Sequence, residues 1–169
     1  LTKKQAMYHF ISGYTAKMAG TETALKEPKA AFSPCYGGPF LTLHPLKYAE
    51  LLEQKMDEHN CDVYMVNTGW SGSSASSGSS RISLKDTRKI IDSIINQTLD
   101  FSSPIKDDFF GFEIPKIEGF NEEFLAPSKA WKNVEEYHRV GSTLTKSFVK
   151  NFEKFNITDQ EILNSGPIK

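Results

Sequence analysis

The residues whose types and spacing best suit chemistry surround the predicted start of a helix: Arg81, Ile82 and Thr87. Ser83 is a favourable N-cap residue, and Asp86 three positions later completes a variant of the capping box. A helix N-terminus presents unpaired backbone N–H groups and a partial positive charge. This composition suits a polar ligand with an aromatic part, such as a nucleotide. The pattern alone is weak evidence, because many α/β domains have a capped helix after a strand.

A run of serine and glycine at residues 71–80 precedes this helix and raises a second interpretation, a phosphate-binding loop. The P-loop pattern requires a lysine that reaches the phosphates, and no lysine lies between Trp70 and Arg81. The sequence therefore favours a flexible linker over a phosphate cradle.

Other residues whose side chains could bind a metal or act in catalysis do not form recognisable sets. The four histidines and two cysteines are scattered, with no pair at metal-ligand spacing, so a zinc site made by this chain alone is not favoured. Asp107 and Asp108 are adjacent in an extended segment, where neighbouring side chains point apart, so a solvated turn is the better interpretation. The residue pattern alone predicts no autonomous catalytic set.

The composition is that of a single globular domain: 169 residues with 38% hydrophobic and 24% charged side chains can bury a sizeable core. The formal net charge of −1 favours neither a nucleic-acid nor an anionic-membrane partner. No apolar run approaches the ~20 residues that span a bilayer, and no signal-peptide pattern is present. With only two cysteines, a reduced cytoplasmic setting is expected. The first residue, Leu1, suggests a piece of a longer protein.

The elements that must position the candidate residues follow from the periodicity of the apolar side chains. Helices are predicted at residues 2–18, 45–59, 84–98 and 128–155, and strands at residues 63–66 and 111–114. The helix–strand–helix order implies an α/β fold, with a mixed sheet and packed helices. Gly20 to Pro34 lacks periodicity and carries turn residues, which predicts a mobile surface loop.

Longer motifs go beyond these patterns. They include Tyr8-His9-Phe10, residues 13–22, Leu43-His44-Pro45, residues 66–70 and above all residues 81–88. In residue identity and order they resemble the C-terminal part of ATP-dependent phosphoenolpyruvate carboxykinase, roughly its last third. The resemblance covers nearly the whole chain. It implies an enzyme of gluconeogenesis, a carboxy-lyase that converts oxaloacetate and ATP to phosphoenolpyruvate, ADP and CO₂. Magnesium and a second divalent ion, commonly manganese, are the implied cofactors besides ATP.

The resemblance also implies roles for individual residues. Arg81 and Ile82 match family residues that hold the adenosine end of ATP, and Thr87 matches a further adenine contact. The physical chemistry agrees, because a guanidinium can stack on a purine and a threonine hydroxyl can bond a ring nitrogen. A second matched set forms a mobile lid over the active site: Gly20, Thr21, Glu22, Thr23, Ala24, Leu25, Lys26, Glu27 and Pro28.

The resemblance assigns residues 1–169 to the family's C-terminal, nucleotide-binding domain. Its parts are expected as a helix leading to the lid (1–19), the lid loop (20–34), a strand, Ser/Gly loop and adenine-binding helix start (62–98), and a C-terminal helix (128–155). The family's loop before the arginine is shorter by about five residues, an insertion that loop-closure entropy tolerates.

The family's phosphate-binding loop, metal ligands and substrate-binding arginines are expected outside this chain. No catalytic residue and no metal ligand is therefore expected within it, and the chain alone is expected to be inactive. The expected partners are oxaloacetate, ATP and the N-terminal part of the same protein. Whether the protein forms a homo-oligomer is left open by the sequence. Two alternatives remain: a non-catalytic nucleotide-binding module and a structural α/β module.

Overall fold

A computed structural model describes residues 1–17, 29–72 and 81–168 of the chain. The chain divides into two compact units. The first contains Leu1–Met65 and Thr143–Lys169, and the second contains Val66–Ser142. The candidate residues around Ser83 belong to the second unit, and the segments that flank the predicted lid belong to the first.

The first unit begins with helix α1, Lys3–Ser12. Thr2 caps it, and Gln5 completes a full capping box. The predicted helix of residues 2–18 is too long, because Gly13 adopts the left-handed conformation (φ 54°) and its N–H bonds the His9 carbonyl. This is a common way for helices to end. The chain then turns into a strand rather than continuing toward the lid as a helix.

That strand, β1 (Tyr14–Lys17), pairs antiparallel with β2 (Lys29–Phe32). The register runs from Tyr14 opposite Phe32 to Lys17 opposite Lys29. At the base of this pair, the rings of Tyr14 and Phe32 each lie 5.1 Å from the ring of Phe148. An aromatic cluster therefore anchors the two strands that flank residues 18–28.

Helix α2, Pro45–His59, has the bounds that the sequence predicts. Pro45 occupies its first turn, and the ring Nδ1 of His44 accepts the N–H of Leu46 at 3.2 Å. Lys4 Nζ lies 2.9 Å from a carboxylate oxygen of Glu53, which joins α1 to α2.

The strand predicted at residues 63–66 is wrong. Within the described range 61–68 the chain has no regular secondary structure, and Met65 is 49% exposed rather than buried. A strand forms only with a hydrogen-bonding neighbour. No described strand of either unit pairs with these residues.

The second unit contains α3 (Leu84–Ile95) and an antiparallel pair, β3 (Asp100–Lys106) and β4 (Glu113–Lys116). Helix α3 ends three residues before the predicted end. Strand β4 begins and ends two residues later than the predicted strand. In the turn between β3 and β4, Asp107 accepts backbone N–H bonds, which makes it a turn residue rather than half of a carboxylate pair.

The predicted helix of residues 128–155 is divided. Two short helices, α4 (Glu122–Leu125) and α5 (Pro127–Ala130), come first, and Trp131 is extended. Helix α6, Val134–Phe152, then begins after Asn133, whose side chain accepts the N–H of Glu136 at 3.0 Å. A 3-10 turn (Glu153–Phe155) and α7 (Gln160–Leu163) complete the chain. The extended backbone at Trp131 therefore interrupts the single helix that the spacing of the apolar residues predicts.

The fold is a mixture of helices and small sheets, which confirms the α/β class expected from the sequence. Among the described residues, the named strands form two antiparallel pairs, each with two strands. In the same part of the chain, no helix combines the length and apolar content that a membrane crossing needs.

Candidate functional site

The start of α3 is capped in the way that the sequence predicts. Ser83 has extended backbone angles, and its Oγ accepts the N–H of Asp86 at 3.0 Å. The same hydroxyl donates to the Asp86 carboxylate at 2.6 Å, and the N–H of Thr87 bonds the Ser83 carbonyl at 2.9 Å. The first turn of α3 is therefore fixed by Ser83 and holds Thr87 in place.

The residues immediately before α3 are fixed by a segment earlier in the chain. Arg81 forms an antiparallel bridge with Trp70, and the N–H of Ile82 bonds the Gly69 carbonyl at 2.8 Å. The earlier segment has its own turn, because the side-chain oxygen of Asn67 accepts the N–H of Gly69 at 2.8 Å. The two ends of the Ser/Gly run are thus joined by backbone hydrogen bonds.

The Arg81 side chain is held at two points. Its Nε–H donates to the carbonyl of Thr68 at 3.2 Å, and its Cζ lies 5.8 Å from the centre of the Trp70 ring system. That distance is within the range of a cation–π contact. Arg81 is nevertheless exposed, while Trp70 is half-buried. The guanidinium is therefore both supported and accessible to a ligand.

The three predicted site residues differ in exposure. Ile82 is only 8% exposed, so most of its side chain is occupied by packing within the protein. Thr87 is half-buried, and Arg81 is exposed. In chain order, the exposed Arg81 and the buried Ile82 precede the capped turn, and the half-buried Thr87 follows it. Sequence reasoning missed Trp70, because its contact with Arg81 depends on the backbone bridge between the two residues.

A cleft of about 450 Å³ lies beside this arrangement rather than at it. It runs along α3 and is lined by charged side chains, among them Lys85, Arg88, Lys89 and Asp92, whereas Arg81, Ile82 and Thr87 do not line it. Ligand pockets are usually enclosed, whereas this cleft is open to solvent. The supported arginine at the helix start is therefore the stronger candidate.

The predicted lid, Gly20 to Pro28, lies outside the described residues. Its flanking strands are described, and their pairing sets Lys17 opposite Lys29. The two described strands therefore end opposite each other, on either side of the predicted lid.

Metal-ligand clusters and two buried titratable side chains, Cys35 and His9, bear on whether the described residues could perform catalysis themselves. In the described ranges, no group of three or more histidine, cysteine, aspartate or glutamate residues lies together as a metal site would require. Burial raises the pKa of the Cys35 thiol to about 11, so that thiol stays protonated at neutral pH and is a poor nucleophile. Burial also lowers the pKa of His9 to about 4, which keeps its ring neutral.

Comparison with known proteins gives a consistent result. A sequence model of the family described as "Phosphoenolpyruvate carboxykinase" matches residues 1–123. Relatives named "Phosphoenolpyruvate carboxykinase (ATP)" include one from Oceanobacillus iheyensis, 45% identical over 169 residues, which are 99% of this chain and 32% of that protein. Another from Alkaliphilus oremlandii is 48% identical, with coverage of 99% and 32%. A third from Eremothecium gossypii is 47% identical, with coverage of 99% and 31%. The chain thus spans about a third of the length of these relatives.

Proposed function

This chain belongs to the ATP-dependent phosphoenolpyruvate carboxykinase family, and we propose on that basis that the protein containing it converts oxaloacetate and ATP to phosphoenolpyruvate, ADP and CO₂. The share of this chain in that reaction is to bind the adenosine end of ATP and to supply the active-site lid. The remaining two thirds of such a protein supply the phosphate, metal and oxaloacetate contacts.

The observation that carries the adenosine role is the supported guanidinium of Arg81 beside the capped start of α3. A planar guanidinium stacks on an aromatic ring and keeps its charge at every physiological pH. Thr87, one turn further on, offers a hydroxyl that can donate to or accept from a purine nitrogen. Ile82, which is buried, would supply apolar packing next to the base.

These contacts act on affinity rather than on the chemical step. The adenine ring is remote from the phosphoryl group that is transferred, so its contacts are the same in the ground state and the transition state. Interactions of that kind lower KM without raising kcat. The residues of the chain thus hold the nucleotide, while acceleration comes from groups at the phosphates.

The lid role belongs to Gly20–Pro28. A closed lid excludes water, so that the phosphoryl group passes to the substrate and not to solvent. The support for this role is the β1–β2 pair, whose strands hold the two ends of the segment in register on an aromatic base.

Divalent magnesium and manganese are cofactors of the proposed reaction, where they neutralise charge on the phosphates. No cluster of ligand side chains is found in the described part of this chain, and we assign no metal ligand to it. The partner that completes the site is the rest of the same protein. Large exposed apolar side chains support such packing, with Phe40 86% exposed.

Titration of the intact protein with ATP in the presence of magnesium tests the adenosine role. The Arg81→Ala variant should bind ATP about thirtyfold more weakly, since a desolvated cation–π contact of roughly 2 kcal/mol is lost. Arg81→Lys should also weaken binding, because an ammonium keeps the charge but not the stacking plane. Arg139→Ala, which removes the same charge from the surface of α6, is the matched control and should bind as the unaltered protein does.

The outcomes separate the alternatives. Equal ATP affinities for the unaltered protein and Arg81→Ala would remove the adenosine assignment. ATP binding without turnover of oxaloacetate would favour a non-catalytic nucleotide-binding module. Absence of ATP binding by the intact protein would favour a structural module.

A further inference from the structure

The backbone at Arg81 is held by contacts within the protein. Its backbone is tied by the bridge to Trp70, and the neighbouring Ile82 N–H bonds Gly69. These contacts fix where the arginine side chain begins. They do not fix where its guanidinium ends, because several rotatable bonds lie between the backbone and the charged group.

Two further contacts reach the guanidinium itself. The Thr68 carbonyl accepts the Nε–H at 3.2 Å, and the Trp70 ring system lies 5.8 Å from Cζ. The carbonyl belongs to the backbone, so it holds one edge of the guanidinium whatever side chain occupies position 68. The indole is thus a side-chain support for the guanidinium beside the backbone support from Thr68. Trp70 is half-buried, which gives it a firmer place than an exposed side chain has.

We propose that Trp70 is a positioning residue for ATP, which holds the guanidinium of Arg81 on one side so that it can stack on the adenine ring. This inference rests on the proposed adenosine role of Arg81. A long arginine side chain loses rotamer freedom when it binds a ligand, and a side chain that is already held loses less. Trp70 thus raises the affinity for the base without contacting ATP.

A double-mutant cycle on the intact protein tests the inference. ATP affinity in the presence of magnesium is measured for the unaltered protein, Trp70→Leu, Arg81→Ala and the double variant. Trp70→Leu should weaken ATP binding about threefold, the size of an exposed cation–π contact. In the Arg81→Ala background the same change should have no further effect, because the group that Trp70 positions is absent.

A second probe separates positioning from a general loss of structure. Inorganic tripolyphosphate carries the phosphate chain of ATP without a base, and its affinity is measured by competition with ATP. Trp70→Leu should leave the affinity for tripolyphosphate unchanged. Trp70→Phe keeps an aromatic face and should restore most of the ATP affinity. Trp131→Leu, the same change at the other tryptophan, is the matched control and should bind ATP normally.

The results that would overturn the inference are distinct. A Trp70→Leu variant that binds ATP normally, or that loses as much affinity in the Arg81→Ala background, would show that Trp70 does not act through Arg81. Equal weakening of ATP and tripolyphosphate would show a structural role only. If Arg81→Ala weakens ATP binding in these experiments, the adenosine role survives the failure of this inference. If Arg81→Ala has no effect, both proposals fail.

Discussion

The 169-residue chain produced alone should show no measurable carboxykinase turnover. The contacts that we propose for it reach only the base and sugar of ATP, and such contacts give affinity rather than rate. Phosphoryl transfer depends on positioned phosphates, metal ions and substrate. In the described ranges of this chain, no cluster of candidate metal ligands is present. The chain alone should therefore also bind ATP weakly, with a Kd on the order of 1 mM.

This expectation is checked by assaying phosphoenolpyruvate formation from oxaloacetate and ATP with magnesium and manganese. The intact protein under the same conditions is the control. Turnover that copurifies with the chain through successive columns would contradict the proposal that the catalytic groups lie in the rest of the protein, because the chain would then contain a complete catalytic set.

Replacing Gly13 with alanine should lower the free energy of unfolding by about 3–5 kcal/mol, one of the largest effects expected for a single methyl group. Gly13 has φ 54°, and a Cβ placed there would lie 1.6 Å from the Ser33 carbonyl oxygen. The N–H of Ser33 also bonds the Gly13 carbonyl at 3.0 Å, so neither backbone can easily withdraw. The end of α1 and the start of β1, which leads toward the predicted lid, would both be disturbed.

Denaturant unfolding of the two proteins measures this difference. Gly37→Ala is the matched control, because a Cβ at Gly37 would lie 3.9 Å from its nearest neighbour and the backbone there is not left-handed. It should change the free energy of unfolding by less than about 1 kcal/mol. Equal stabilities of Gly13→Ala and the unaltered protein would show that the close approach of Gly13 to Ser33 does not constrain the fold.

The predictions that the structure confirms depend on neighbouring residues. Ser83 caps α3, and α2 begins at Pro45, because the hydrogen bonds at a helix start form within one turn of the chain. The sequence carries all the partners of such bonds in a few positions. The start of α3 at the candidate site could be predicted for this reason.

The errors involve partners that are distant in sequence. The strand expected at residues 63–66 had the apolar composition of a strand, but a strand also needs a neighbour. The last helix was expected to be continuous because apolar spacing does not report the extended backbone at Trp131. The first helix was made too long because Gly13 is tolerated inside a helical pattern, and only its close contact with Ser33 shows why it ends the helix.

The candidate site shows the same division. The types of Arg81, Ile82 and Thr87 and their place at a helix start could be seen in the sequence. The contact between Arg81 and Trp70 could not, because it crosses the Ser/Gly run and depends on the backbone bridge between the two residues. The burial of Ile82 could likewise not be predicted from the pattern of neighbouring residues.

Hydrogen exchange of the intact protein, with and without saturating ATP and magnesium, tests the central claim most directly, because it locates the bound nucleotide without altering a residue. We predict slower exchange in peptides that carry residues 68–70 and 81–88, since ligand binding lowers the population of locally open states. The peptide of α2, Pro45–His59, is the internal reference and should not change. Unchanged exchange at residues 81–88 in a protein shown to be saturated with ATP would contradict the placement of the adenosine site at the start of α3.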